Sequence, residues 1–126
     1  MKLAHILVAE DVPEMQEALA LVLMEAGHTV HLADDGEEAT ETLANGRFDV
    51  LVVDIWMPRK SGLAVMEDAA KSHPDLPVIV ISGGGPDATL ESVTAVADLH
   101  GAVRVLYKPF DDEELVDAVS AALHGA

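Results

Sequence analysis

The chain has 126 residues, half of them apolar and none of them cysteine, which is enough for one well-formed core and excludes a disulfide framework or thiol chemistry. The formal net charge of −16 argues against a nucleic-acid interface, which needs a basic face for phosphates. It is compatible with a metal cation or a basic partner, although most of the acids serve only to keep a small protein soluble.

The predicted elements alternate along the chain. Residues 3–9, LAHILVA, form a short apolar strand that runs into Glu10-Asp11. Residues 13–27 carry Met15, Leu19, Val22, Leu23 and Ala26 at helical spacing, with Pro13 suited to a first helical position and Gly27 to a C-terminal cap. Residues 28–33 predict a strand, and 36–46 a helix stopped by Asn45-Gly46. Residues 49–54, DVLVVD, predict a strand apolar on both faces, and 62–73 a helix that Pro74 blocks. Residues 77–82, PVIVIS, are again an apolar strand; 88–100 predict a helix and 102–107 a fifth strand. Asp111 then offers an N-cap with Glu114 three residues on, a capping-box pattern, and Leu115, Val119 and Leu123 give the last helix its apolar stripe.

Five strands alternating with five helices, with strands apolar on both faces, predict a parallel sheet covered on both sides. Neither a linker nor an internal repeat interrupts the pattern, so residues 1–126 are expected to form one domain with no effector domain attached. No apolar run approaches the ~18 residues of a membrane span, and the N-terminus lacks the features of a signal peptide. The expected location is the cytoplasm.

The strand ends carry the chemistry. In an open α/β sheet, ligands sit beyond the carboxyl ends of the strands. Those ends are Glu10-Asp11, Asp54, Ser82 and Lys108-Pro109, all on one edge of a parallel sheet. Three carboxylates in one cleft resist joint ionisation, so a positive charge should stabilise them. Oxygen ligands without His or Cys suit a hard cation such as Mg²⁺. Carboxylates, a hydroxyl and an ammonium around such a cation suit phosphoryl transfer, in which Asp54 can be the nucleophile.

In these residues the chain resembles the receiver domains of two-component response regulators. The resemblance rests on Glu10-Asp11, Asp54 with Met57-Pro58 and Gly62, Ser82, and Lys108-Pro109-Phe110, and it spans the whole chain. It implies a flavodoxin-like three-layer α/β/α fold with a five-stranded parallel sheet of order 2-1-3-4-5 and five helices. It also implies a signalling phosphoacceptor rather than a conventional enzyme, in which Asp54 takes a phosphoryl group from a sensor histidine kinase or a histidine phosphotransfer protein. By the same resemblance, Asp11, Asp54 and the backbone carbonyl of Trp56 hold Mg²⁺, and Glu10 acts through a metal-bound water. Ser82 and Lys108 contact phosphoryl oxygens, and Pro109 follows a cis bond. Output passes to a downstream protein through the face made by helix 88–100, strand 102–107 and helix 111–123, or by onward phosphotransfer, without direct nucleic-acid or membrane binding.

Singly, each of these residues has a plainer explanation: a strand-end Asp is often a turn residue, a terminal Lys is usually solvated, and Ser82 before three glycines can open a turn. Their joint placement on one edge is what favours the site. His28 and His31, three apart in a strand, face opposite sides and do not suit a zinc pair. Gly83-Gly84-Gly85 lacks the Lys-Ser/Thr of a P-loop. A haloacid-dehalogenase-like phosphatase would want a second Asp two residues after the nucleophile, where Trp56 stands. A flavodoxin-like binding module would want hydroxyl-rich loops and stacking aromatics, but aromatic residues make up only 3 % of the chain. Two departures from the receiver pattern stand out: Ser82 replaces the commoner Thr, and the aromatic switch residue is missing. Val105 occupies the usual switch position of Tyr or Phe, with Tyr107 on the same strand face. Trp56 and Gly84 offer nothing to orient an attacking water, so slow self-dephosphorylation is expected.

Overall fold

A computed structural model of the chain describes residues 3–57, 59–82 and 103–124. In chain order the elements are β1 (His5–Ala9), α1 (Pro13–Glu25), β2 (Thr29–Ala33), α2 (Gly36–Asn45), β3 (Val50–Asp54), α3 (Gly62–Ser72), β4 (Val78–Ser82), β5 (Arg104–Tyr107) and α4 (Asp112–Leu123). The five strands form one parallel sheet of order β2-β1-β3-β4-β5. Four helices lie among the described residues; the predicted helix over 88–100 and the glycine run 83–85 lie outside them.

The pleat sorts the core. Alternate side chains of a strand point to opposite faces, and every residue of β3 and β4 is buried. Leu7, Ala9, Leu51, Val53 and Val80 pack on one face with Ala39 and Leu43 of α2 and Val65, Met66 and Ala69 of α3. Ile6, Val8, Val50, Val52, Ile79 and Ile81 pack on the other with Leu19 and Leu23 of α1 and Leu115, Ala118, Val119 and Ala122 of α4. The continuous apolar runs thus follow from a sheet covered on both sides. Val105 and Tyr107 pack together against the α2–α3 side, while Leu106 is buried on the other, as their parity on the strand predicts.

The helix ends follow from local chemistry. Pro13 begins α1, where its missing N–H costs nothing. Asp35 caps α2 by accepting the Glu38 N–H at 2.8 Å, and Ser61 caps α3 by accepting the Ala64 N–H at 3.2 Å. Ahead of α4 the Glu114 carboxylate reaches back to the Asp111 N–H at 3.2 Å. Gly27, with φ of 100°, closes α1 in the left-handed region that favours glycine. Gly62 opens α3 so close to β3 that an added Cβ would stand 2.1 Å from the Asp54 carbonyl oxygen. Only a hydrogen fits there.

The strands are shorter than their apolar runs. β1 starts at His5, after Ala4, whose N–H goes to the His28 ring rather than to a strand partner, and β2, an edge strand, buries only Ala33 fully. No helix among the described residues is long and apolar enough to cross a membrane.

His28, just ahead of β2, is buried, and its Nδ1 accepts the Ala4 N–H at 3.1 Å. Only a neutral ring can accept there. Burial holds the imidazole below its ordinary value of 6.5. The unfolded chain therefore gains a proton that the folded chain resists. The stabilisation is full above about pH 6.5 and is lost as pH falls below it. His28→Asn keeps an acceptor oxygen near the same place and does not titrate. Urea unfolding from about pH 7 to about pH 5 should show a shallower loss of stability for this variant than for the parent.

Candidate functional site

Because the strands are parallel, their C-terminal ends deliver side chains to one edge. Glu10 leaves the end of β1, and its N–H is held by the Ala33 carbonyl of β2 at 3.1 Å. Asp11 follows it, and Asp54 is the last residue of β3. One carboxylate oxygen from each of Glu10, Asp11 and Asp54 lies within 4.8 Å of the other two. Lys108, directly after β5, points back into this group. Its Nζ lies 2.9 Å from Asp54 Oδ2 and 3.6 Å from Glu10 Oε1. The other oxygen of Asp54, Oδ1, accepts the Trp56 backbone N–H at 2.8 Å.

Burial sharpens the electrostatics. Glu10 has no exposed surface, and Asp54 is 4 % exposed. Burial, followed by the neighbouring Asp54 carboxylate, pushes Glu10 up to about 8, against the pull of Lys108 and the Val12 N–H. Burial alone would lower the Lys108 ammonium, but Asp54 and Glu10 outweigh it and hold Lys108 above its ordinary value. A single ammonium among three carboxylates leaves the cluster short of positive charge.

The donor set fits a hard divalent cation. It is made of carboxylate oxygens, the ligands such ions prefer. Glu10 Oε2 is also the one buried side-chain oxygen or nitrogen among the described residues without a hydrogen-bond partner, and buried polar atoms are rarely left so.

The structure thus brings Glu10, Asp11, Asp54 and Lys108 together. Ser82 is buried at the end of β4, beside the β3 strand that carries Asp54. Its carbonyl accepts the Lys108 N–H at 2.9 Å. Trp56 is anchored to Asp54 through its backbone while 43 % of its surface stays exposed. The Lys108-Pro109 bond is cis. Gln16, which no motif marks, also reaches the site's backbone, donating to the Glu10 carbonyl at 3.1 Å.

Comparison with known proteins places this geometry in a family. The family model described as response regulator receiver domain matches residues 6–120. The chain is 40 % identical over 119 residues to the response regulator MprA of Mycobacterium ulcerans, covering 94 % of this chain and 50 % of that protein. It is 37 % identical over 120 residues to the response regulator RR06 of Streptococcus pneumoniae, covering 94 % and 52 %. The chain therefore spans about half the length of the curated relatives it matches. Among solved structures, the response regulator TrrA of Thermotoga maritima in complex with Mg²⁺-BeF superposes with a TM-score of 0.83 at 31 % identity, covering 98 % of this chain and all of that one. NtrX from Brucella abortus in complex with ADP superposes at 0.89 with 29 % identity, covering 98 % of this chain and 28 % of that one. The sheet order, the carboxylate cluster with its lysine and the match along nearly the whole chain lead to one assignment: the chain belongs to the response regulator receiver domain family.

Proposed function

We propose that this receiver accepts a phosphoryl group on Asp54 from a phosphohistidine of a sensor histidine kinase or histidine phosphotransfer protein, in a Mg²⁺-dependent reaction in the cytoplasm. The observation that carries this reading is the convergence of Glu10, Asp11 and Asp54 within 4.8 Å, with Lys108 Nζ 2.9 Å from Asp54. The phosphatase and flavodoxin-like alternatives are not favoured beside the family match.

In this reading an Asp54 carboxylate oxygen attacks phosphorus, the P–N bond to the donor imidazole breaks, and the electron pair leaves with the imidazole. Asp11, Asp54 and the Trp56 carbonyl would hold Mg²⁺ directly, and Glu10 would act through a water. Bound Mg²⁺ supplies charge neutralisation for the carboxylates and the incoming phosphoryl oxygens. Lys108 stands ready to exchange its contact with Asp54 for an ionic bond to a phosphoryl oxygen. The Ser82 hydroxyl, on the neighbouring strand end, binds another. The domain thereby promotes its own phosphorylation, chiefly by positioning and charge. Output would pass by onward phosphotransfer or through a downstream protein on the face that includes β5 and α4; residues 88–100, expected from the sequence to be a helix of that face, lie outside the described residues.

Asp54→Asn keeps the side-chain shape and removes the nucleophile. Incubated with acetyl phosphate and Mg²⁺, the parent should gain an acid-stable, hydroxylamine-labile phosphoryl group, and the folded variant none. Stoichiometric labelling of the variant at another residue would refute the assignment.

For Lys108→Ala, Mg²⁺ affinity should stay or tighten, because a competing positive charge leaves the cluster. The spectral change on phosphorylation should disappear with the ionic partner of the phosphoryl oxygens. Calorimetric Mg²⁺ titration and heteronuclear NMR spectra with and without phosphorylation check both halves. A variant whose spectrum changes like the parent's would remove Lys108 from this role.

Trp56 is held beside the nucleophile by its own N–H, and its indole can crowd an in-line water without orienting it. The phosphorylated parent should therefore lose phosphate several-fold more slowly than Trp56→Asn, whose amide can orient a water. Decay followed by mass spectrometry measures this, and a parent lifetime equal to or shorter than the variant's would contradict it. Trp56 emission should also shift on Mg²⁺ titration.

A further inference from the structure

Gln16 stands in the first turns of α1, half-buried. Its amide nitrogen donates to Asp34 Oδ1 at 2.8 Å and to the Glu10 carbonyl at 3.1 Å, and lies 3.4 Å from the Ala33 carbonyl. All three partners are acceptors, which fixes the NH₂ end of the amide toward them. With only two N–H bonds available, the longest contact shares a hydrogen. The Ala33 carbonyl also takes the Glu10 N–H. One neutral side chain thus binds the end of β2 to the peptide that joins Glu10 to Asp11.

The turn that Gln16 grips, Asp34 to Gly36, reaches the other half of the site as well. Asp34 N–H is accepted by Glu38 Oε1 at 3.2 Å, and Asp35, the cap of α2, lies 3.6 Å from Arg59 Nε. An added Cβ on Gly36 would stand 2.1 Å from the Lys60 carbonyl oxygen, so the loop after β3 lies directly against this turn. The loops that carry Glu10-Asp11 and follow Asp54 are therefore braced by one turn that itself supplies no ligand.

We propose that Gln16 is a positioning residue for the cation site. By holding the Glu10–Asp11 peptide against β2, it sets where the two acidic side chains point before the ion arrives. The proposal rests on the reading of Asp54 as a Mg²⁺-assisted phosphoacceptor. A purely structural tie would lower unfolding stability alone; a positioning role changes the affinity of the folded protein for its ion.

The test uses Gln16→Met, unbranched and uncharged, with Gln16→Leu as a second variant should the first fold poorly. Calorimetric titration of the folded proteins with Mg²⁺ should show affinity weakened roughly 10- to 100-fold, the usual cost of losing a partner that orients a ligand. In acetyl phosphate labelling, half-saturating Mg²⁺ should rise by the same factor while the rate at saturating Mg²⁺ stays near the parent's. Gln16→Asn keeps an NH₂ group and should lose less affinity than Gln16→Met. Unchanged Mg²⁺ affinity in Gln16→Met, with or without a loss of stability, would overturn the proposal. A parent that binds Mg²⁺ yet takes no phosphoryl group would overturn the reading of Asp54 alone, and the titrations would still decide the role of Gln16. A parent that binds no Mg²⁺ would overturn both.

Discussion

Three carboxylates share the carboxyl edge of the sheet with one ammonium, and that imbalance governs the molecule. β1 and β3 are hydrogen-bonded neighbours with buried residues on both faces, so Glu10 and Asp54 cannot separate to relieve their repulsion. Lys108 approaches both, but one positive charge cannot neutralise three acids. The remaining strain is visible in Glu10, driven toward its neutral form and left with an unpartnered oxygen. Groups poised in this way cluster at functional sites, where stability is lower so that a ligand can raise it.

The layers that surround the site keep it from collapsing. α2 and α3 cover one face and α1 and α4 the other, so the chemistry is confined to the strand ends. Around those ends the backbone contributes as much as side chains do. The Trp56 N–H orients one oxygen of Asp54, and Lys108 orients the other. Asp54 is thus held by two donors on different oxygens, which fixes its carboxylate before any ligand arrives.

The strand ends were legible because a parallel sheet sends every carboxyl end to one edge, so residues distant in sequence could be grouped without coordinates. DVLVVD and PVIVIS read as buried strands because continuous apolar runs are what double coverage demands. Strand limits were less legible: Leu3 and Ala4 belong to the apolar run but lie outside β1, and the Ala4 N–H is taken by the His28 ring, a contact between segments 24 residues apart. The bracing of the site by Gln16, Asp34 and Asp35 left no trace in the letters. Those contacts join segments whose proximity depends on how one turn folds over another, and glutamine in a first helical turn is ordinary. The Trp56 N–H was invisible for a simpler reason, since every residue but proline carries one.

The close seat of Gly62 on the Asp54 carbonyl has a mechanical meaning. The first residue of α3 rests against the backbone of Asp54 with no side chain between them. α3 is 11 residues long, a rod of about 16 Å. A tilt of the peptide at Asp54 would press directly on the start of this rod, whose far end lies near Ser72. No side chain at the start of α3 stands between this helix and the main chain of Asp54.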